Sequence, residues 1–161
     1  LTWHLVLSTI HTNSAAGTVQ RLINMGVEPF LLASAMKMVI SQRLWKKICK
    51  ECKQEYIPRD SERSKIKTIL SNLVNKDEIK NLKFYEWKWC KVCAETWFKW
   101  RMWFHEVLIL WEYMEPLILE KESANNMRDA GIENWMITMT QDALLKAIMW
   151  TTTVNEALKL I

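Results

Sequence analysis

HLVLSTI, His4 to Ile10, followed by HTNSAAGTVQRLINMG, His11 to Gly26, is the stretch that decides the fold. The first part is short, apolar and rich in β-branched residues, as a strand covered on both faces of a parallel sheet should be. Thr12, Asn13 and Ser14 then offer side-chain oxygens that can cap a helix. Ala15 to Met25 reads as that helix, and Gly26 as its stop. A strand feeding directly into a capped helix predicts an α/β fold.

Working outward, Pro29 stands at a good first-turn position. A helix is expected from there to Ile48, with Phe30, Leu31, Ala35, Met38, Val39 and Leu44 on its apolar side. Arg59 to Val74 reads as an exposed amphipathic helix with Ile66, Ile69, Leu70 and Leu73 in one stripe, and Asp77 to Leu82 as a shorter one. Phe84 to Leu110 predicts β-hairpin structure. Glu112–Glu120, Ala124–Ala130, Gln141–Met149 and Val154–Leu160 predict helices. Thr138 with Gln141, and Thr153 with Glu156, have capping-box spacing.

Half of the 161 residues are hydrophobic and a quarter are charged, which excludes a disordered or collagen-like chain. No apolar run approaches the roughly 18 residues of a membrane span, and no cationic–apolar leader is present. The first residue is Leu1, not Met, which is the expectation for a fragment. The net charge of +4 permits an acidic partner without demanding one, and the lysines are spread along the chain rather than gathered in one segment.

Four cysteines give the sharpest local signal. Cys49 and Cys52 form CKEC, and Cys90 and Cys93 form CKVC, with 37 residues between the pairs. Two residues between thiolates let one tight turn present both sulfurs to one ion, and two such turns complete a tetrahedral Zn²⁺ site. With four sulfur ligands no position stays open for a substrate, so such a site is structural. Two disulfides or four buried thiols are the alternatives, and the lack of a secretion leader favours zinc. The site would pin the 59–82 insertion at its base.

HLVLSTIHTNSAAGTVQRLINMGVEPFLLASAM, QRLWKKICKECKQEY, CKVC, FKWRMWFHEVLIL and MITMTQDALLKAIM, in that order, resemble the C-terminal half of the type II secretion and type IV pilus-assembly ATPases (the GspE/PilB group). The resemblance covers nearly the whole chain and is weakest over 59–82. It implies the C-terminal part of a RecA-like P-loop ATPase core over 1–48, a tetracysteine region over 49–110 with its helical insertion, and a small helical subdomain over 111–161. It implies that His4 and His11 correspond to the family's His box beside the nucleotide, with Thr12, Asn13 and Arg21 near the nucleotide or subunit boundary and Arg43 a further family-like position. It also implies ATP and Mg²⁺ in the complete protein, a homo-hexamer, an inner-membrane platform protein as partner, and a cytoplasmic, membrane-peripheral location. No G-x-x-x-x-G-K-[ST] occurs in these residues, so the phosphate cradle belongs upstream and the fragment alone is expected to be inactive. By residue chemistry alone, a histidine beside an apolar strand is more often a packed residue than a catalytic one. His105, in FHEVL, reads as a strand residue.

Glycine and tryptophan counts are abnormal. Glycine occurs 3 times, where average usage of about 7% gives roughly 11, and tryptophan occurs 10 times. In the family pattern glycine stands where this chain has Trp3, Trp87, Trp89, Trp97, Trp100 and Trp103. Trp111, Trp135 and Trp150 fall at junctions and turns. Reading glycine at all nine raises that count from 3 to 12 and leaves Trp45 alone. The expectation is a gene whose UGA codons specify glycine.

Three functional classes follow: an ATP-driven motor, a non-enzymatic zinc-stapled interaction module, and a single-stranded nucleic-acid binder. The last would use Lys88, Lys91, Lys99 and Arg101 among the aromatics. It collapses if those tryptophans are glycines, so no direct nucleic-acid contact is expected.

Overall fold

A computed structural model describes residues 4–75, 79, 82–88 and 90–160. It is a mixed α/β chain. In order come α1 (Ala15–Asn24), α2 (Pro29–Ala35), β1 (Met38–Ile48), β2 (Lys53–Tyr56), α3 (Asp60–Ile69), β3 (Phe84–Trp87) and β4 (Phe98–Ile109). Helices α4 (Glu115–Leu119), α5 (Ala124–Glu133), α6 (Met139–Ile148) and α7 (Val154–Leu158) follow. Short 3₁₀ turns occupy Lys91–Cys93 and Glu112–Met114.

Two compact units share the chain: Leu1–Gln42 with His105–Thr138, and Arg43–Phe104 with Met139–Ile161. In the first, Ala15, Ala16 and Val19 of α1, Leu32 of α2, Val39 and Leu108 of the strands, and Met114, Ile118 and Met127 form one core. Gly131 of α5 lies so close to β4 that a Cβ there would meet Leu108 Cδ1 at 2.8 Å. In the second, Ile66, Leu70, Phe84, Phe104, Leu144 and Val154 form the core. Polar ties reinforce it: Gln141 Nε2 donates to Ile69 O (2.9 Å) and Asn72 Oδ1 (2.8 Å), and Thr152 Oγ1 donates to Lys46 O (3.0 Å).

Three expectations change. The segment His4–Ile10 forms no strand among the described residues; Leu5 and Leu7 are 87% and 86% exposed. Composition makes a segment extended, but a strand also needs a hydrogen-bonded neighbour, and no described residue supplies one. The helix expected over Pro29–Ile48 stops at Ala35, and Met38–Ile48 is a strand. Its first residues alternate, with Val39 and Ser41 buried and Met38 and Ile40 exposed, so the period is two, not 3.6. Pairing with β4 overrides a pattern that is ambiguous in isolation. The expected Phe84–Leu110 hairpin is instead split between two sheets. β3 runs antiparallel to β2, Lys53 opposite Trp87 and Tyr56 opposite Phe84. β4 pairs with β1, with Leu110 N–H donating to Lys37 O and Cys49 N–H to Trp97 O at the two ends. The short helix expected at Asp77–Leu82 falls largely outside the described residues.

The helix ends repeat one device. After α1, Gly26 sits at φ +88°, its N–H bonds Ile23 O, and Val27 N–H bonds Leu22 O. This is the Schellman pair of bonds, with a left-handed residue at the turn. The same pair closes α4 around Lys121 (φ 57°), α5 around Trp135 (φ 70°) and α6 around Trp150 (φ 63°). Inside β4, Trp100 is left-handed too (φ 77°), the conformation that a glycine takes in a G1 bulge. Trp97, before β4, has φ 67°. Trp3 and Trp89 lie outside the described residues.

Candidate functional site

The tetracysteine cluster is built by two turns. Cys49 and Cys52 follow the end of β1; Cys90 precedes the 3₁₀ turn before β4 and Cys93 is its last residue. Their sulfur atoms all lie within 4.8 Å of one another. Cys49 Sγ is 3.9 Å from Cys90 Sγ, Cys52 Sγ is 3.9 Å from Cys93 Sγ, and Cys90 Sγ is 3.4 Å from Cys93 Sγ. A tetrahedron with Zn–S of about 2.3 Å has edges near 3.8 Å. A disulfide needs about 2.05 Å, and all four thiols are free. Three of the four are buried and Cys90 is half-buried. Ala94 (φ 50°) and Glu95 (φ 62°) turn the backbone sharply after Cys93, and Glu95 N–H returns to Cys90 O. Burial first, then the surrounding thiols, pushes the Cys52 thiol far above its usual range. Four sulfurs packed without a cation disfavour the thiolate, and a bound cation reverses that preference. The four cysteines are thus positioned to bind one metal ion.

The other predicted residues gather in the first unit. His11, Thr12 and Asn13 precede α1, and Arg21 lies on its third turn. All four line one cleft of about 760 Å³, together with Ser14 and Gln20. Ser14 is the N-cap, its Oγ accepting from Gly17 N (3.1 Å). Thr12 Oγ1 lies 2.7 Å from the hydroxyl of buried Thr18 and also contacts Ser14 O. His11, Asn13 and Arg21 are exposed on the cleft wall. The structure does not bring His4 to this cleft; it is exposed in the extended segment. Arg43 is exposed on β1 and His105 on β4.

Sequence reasoning missed Glu106 and Thr18. Glu106 is only 5% exposed, and its Oε1 accepts from Ala15 N at 2.8 Å. The available signal was register: Phe104, Glu106 and Leu108 share one face of β4, and a carboxylate between two core residues is anomalous. A second cleft, of about 560 Å³, lies in the other unit and holds none of the predicted residues. Its Glu156 pairs with Lys159, and its Glu62 accepts from Tyr56 Oη and Arg59 N.

No helix among the described residues is long and apolar enough to cross a membrane. The family described as "Type II/IV secretion system protein" matches residues 1–159. The chain is 33% identical over 156 residues to the type IV pilus assembly ATPase PilB of Myxococcus xanthus, covering 97% of this chain and 27% of that protein. It is 36% identical over 158 residues to PilB of Thermus thermophilus, covering 98% and 17%. To the type II secretion system protein E of Pseudomonas aeruginosa it is 33% identical over 163 residues, covering 99% and 30%. The chain therefore spans less than a third of each of these relatives.

Proposed function

Because the chain belongs to the type II/IV secretion system protein family, we propose that it is the C-terminal part of an ATPase that drives protein secretion or type IV pilus extension. The observation that carries this reading is the family match along nearly the whole chain, to relatives named as pilus-assembly ATPases. In this reading residues 1–48 are the end of a RecA-like core, and the phosphate cradle and Mg²⁺ site lie in upstream sequence. ATP supplies a phosphoryl group whose transfer is governed by positioning and charge stabilisation. His11 and Arg21 face the nucleotide or subunit boundary from the cleft, and Thr12 and Asn13 relay its state into α1. The cleft that unites these four side chains supports that assignment. His4, which does not line the cleft, would act at the nucleotide or subunit boundary. The cysteines hold a structural Zn²⁺, which their sulfur spacing supports. The working assembly is a cytoplasmic homo-hexamer docked at an inner-membrane platform protein.

The test uses the complete gene product. His11→Ala is expected to lower ATP turnover about a hundredfold, the usual scale for a positioned acid–base or polarising group, with folding and metal content retained. Unchanged turnover would remove His11 from the site. No turnover in the unsubstituted protein would instead favour an interaction module stapled by the cysteines. The 161-residue chain by itself is expected to hydrolyse no ATP.

The same proposal includes glycine at nine tryptophan positions, through UGA codons read as glycine. Support comes from Trp97, Trp100, Trp135 and Trp150, all left-handed. The gene sequence checks it directly: UGG codons at those positions would end the idea.

A further inference from the structure

Glu106 lies on the inward face of β4 between Phe104 and Leu108, both fully buried. A carboxylate in that place costs desolvation that an apolar residue would avoid. Its Oε1 accepts from the N–H of Ala15, 91 residues away. Ala15 opens α1, so its amide is among the first-turn donors that the helix itself leaves unpaired. The local cap, Ser14 Oγ, takes Gly17 N instead. Two independent anchors therefore fix one turn: Ser14 from within and Glu106 from β4. The cleft residues flank that turn, with His11, Thr12 and Asn13 before it and Arg21 after it. Thr12 is tied to the same turn through Thr18 Oγ1 and Ser14 O. A negative group at a helix N-terminus is electrostatically favoured, so the contact is stable as well as directional.

We propose that Glu106 is a positioning residue for the cleft: from β4 it fixes the start of α1 and thereby holds His11 and Asn13 in register with Arg21. This rests on the reading of the cleft as the nucleotide-facing surface. The alternative is that Glu106 serves the stability of the fold alone.

The experiment compares Glu106→Ala, Glu106→Gln and Leu108→Ala in the complete gene product, with His11→Ala beside them. Deuterium uptake over residues 14–18 reports the anchor, and kcat and KM for ATP report the cleft. Glu106→Ala should speed uptake in that segment about tenfold by opening it locally. It should lower kcat about ten- to a hundredfold, the cost of misplacing groups by roughly 1 Å. Glu106→Gln, whose amide oxygen can still accept from Ala15, should recover most of both. Leu108→Ala should lower the melting temperature more while sparing kcat. Unchanged uptake in Glu106→Ala overturns the proposal. So does a fall in kcat that Leu108→Ala matches or exceeds, since the loss then tracks stability alone. Intact turnover in Glu106→Ala beside crippled His11→Ala overturns it while sparing the cleft. Faster uptake with intact turnover in both variants sinks the cleft reading, and the positioning role with it. Should Glu106→Ala not fold, Glu106→Asp carries the test, since it keeps the charge but shortens the reach, and the same uptake and turnover losses are expected.

Discussion

Replacing Cys52 by serine is expected to abolish stoichiometric metal binding and to unfold the unit that holds the cluster. Cys52 is buried, with its sulfur 3.9 Å from Cys93 Sγ and 3.8 Å from Trp97 O. Its removal leaves three ligands around a position shaped for four. Structural zinc contributes about 10–16 kcal/mol in small metal-dependent folds, against total domain stabilities of about 5–15 kcal/mol. Even a partial loss is then decisive. The unit's other core, which holds Ile66, Leu70 and Phe84 with Phe104 and Leu144, does not substitute for it at the turns Cys49–Cys52 and Cys90–Cys93, whose cysteines pack in a separate cluster. Metal analysis should give one zinc per chain in the parent and none in the variant, and cobalt substitution should give a four-thiolate spectrum. Burial keeps the metal-free Cys52 thiol protonated at neutral pH, so metal uptake should release protons and tighten as pH rises. A Cys52→Ser chain with unchanged metal content and melting temperature would refute the structural role.

The second large effect is the gain from glycine at Trp97, Trp100, Trp135 and Trp150. Each has a left-handed backbone, which costs a residue with a Cβ roughly 1–2 kcal/mol. The four together should add about 4 kcal/mol or more, part of it offset by glycine's greater freedom in the unfolded chain. At about 2–4 °C per kcal/mol for a chain of this size, melting should rise by about 8–16 °C. The sites are not equal. Trp135 is 90% exposed and Trp100 80%, so neither has much packing to lose. Trp150 packs against Tyr85, ring centroids 5.1 Å apart and planes tilted by 58°, and sits beneath Lys53 Nζ, so its gain should be the smallest. Trp45→Gly should do the opposite, because Trp45 packs against Phe104 within the core of its unit. Single-variant melts should reproduce this ranking, and a quadruple variant no more stable than its parent would contradict the strain argument.

These results show where local reading works. The Thr153 cap that accepts from Glu156 N was legible, because it depends on residues three apart. So was the stop at Gly26. The tetracysteine cluster was legible because metal chemistry fixes both residue type and spacing. His11, Thr12, Asn13 and Arg21 were singled out by the family resemblance rather than by spacing, and their side chains line one cleft at the start of α1. Glu106 was not legible, because its partner is 91 residues away and only β4's register turns it inward. The strand at Met38–Ile48 was missed for the same reason, since its pairing with β4 is non-local. In each miss the deciding contact came from a distant part of the chain.

Leu5 to Ile10 is six uncharged residues without proline or glycine, and its apolar side chains at 5–7 face solvent. Such hexapeptides are the raw material of cross-β fibrils, in which identical copies stack and interlock as dry zippers. In the 161-residue chain taken alone, the exposed segment fits that pattern. A lysine at Leu7 would act as a gatekeeper against it, without touching either core.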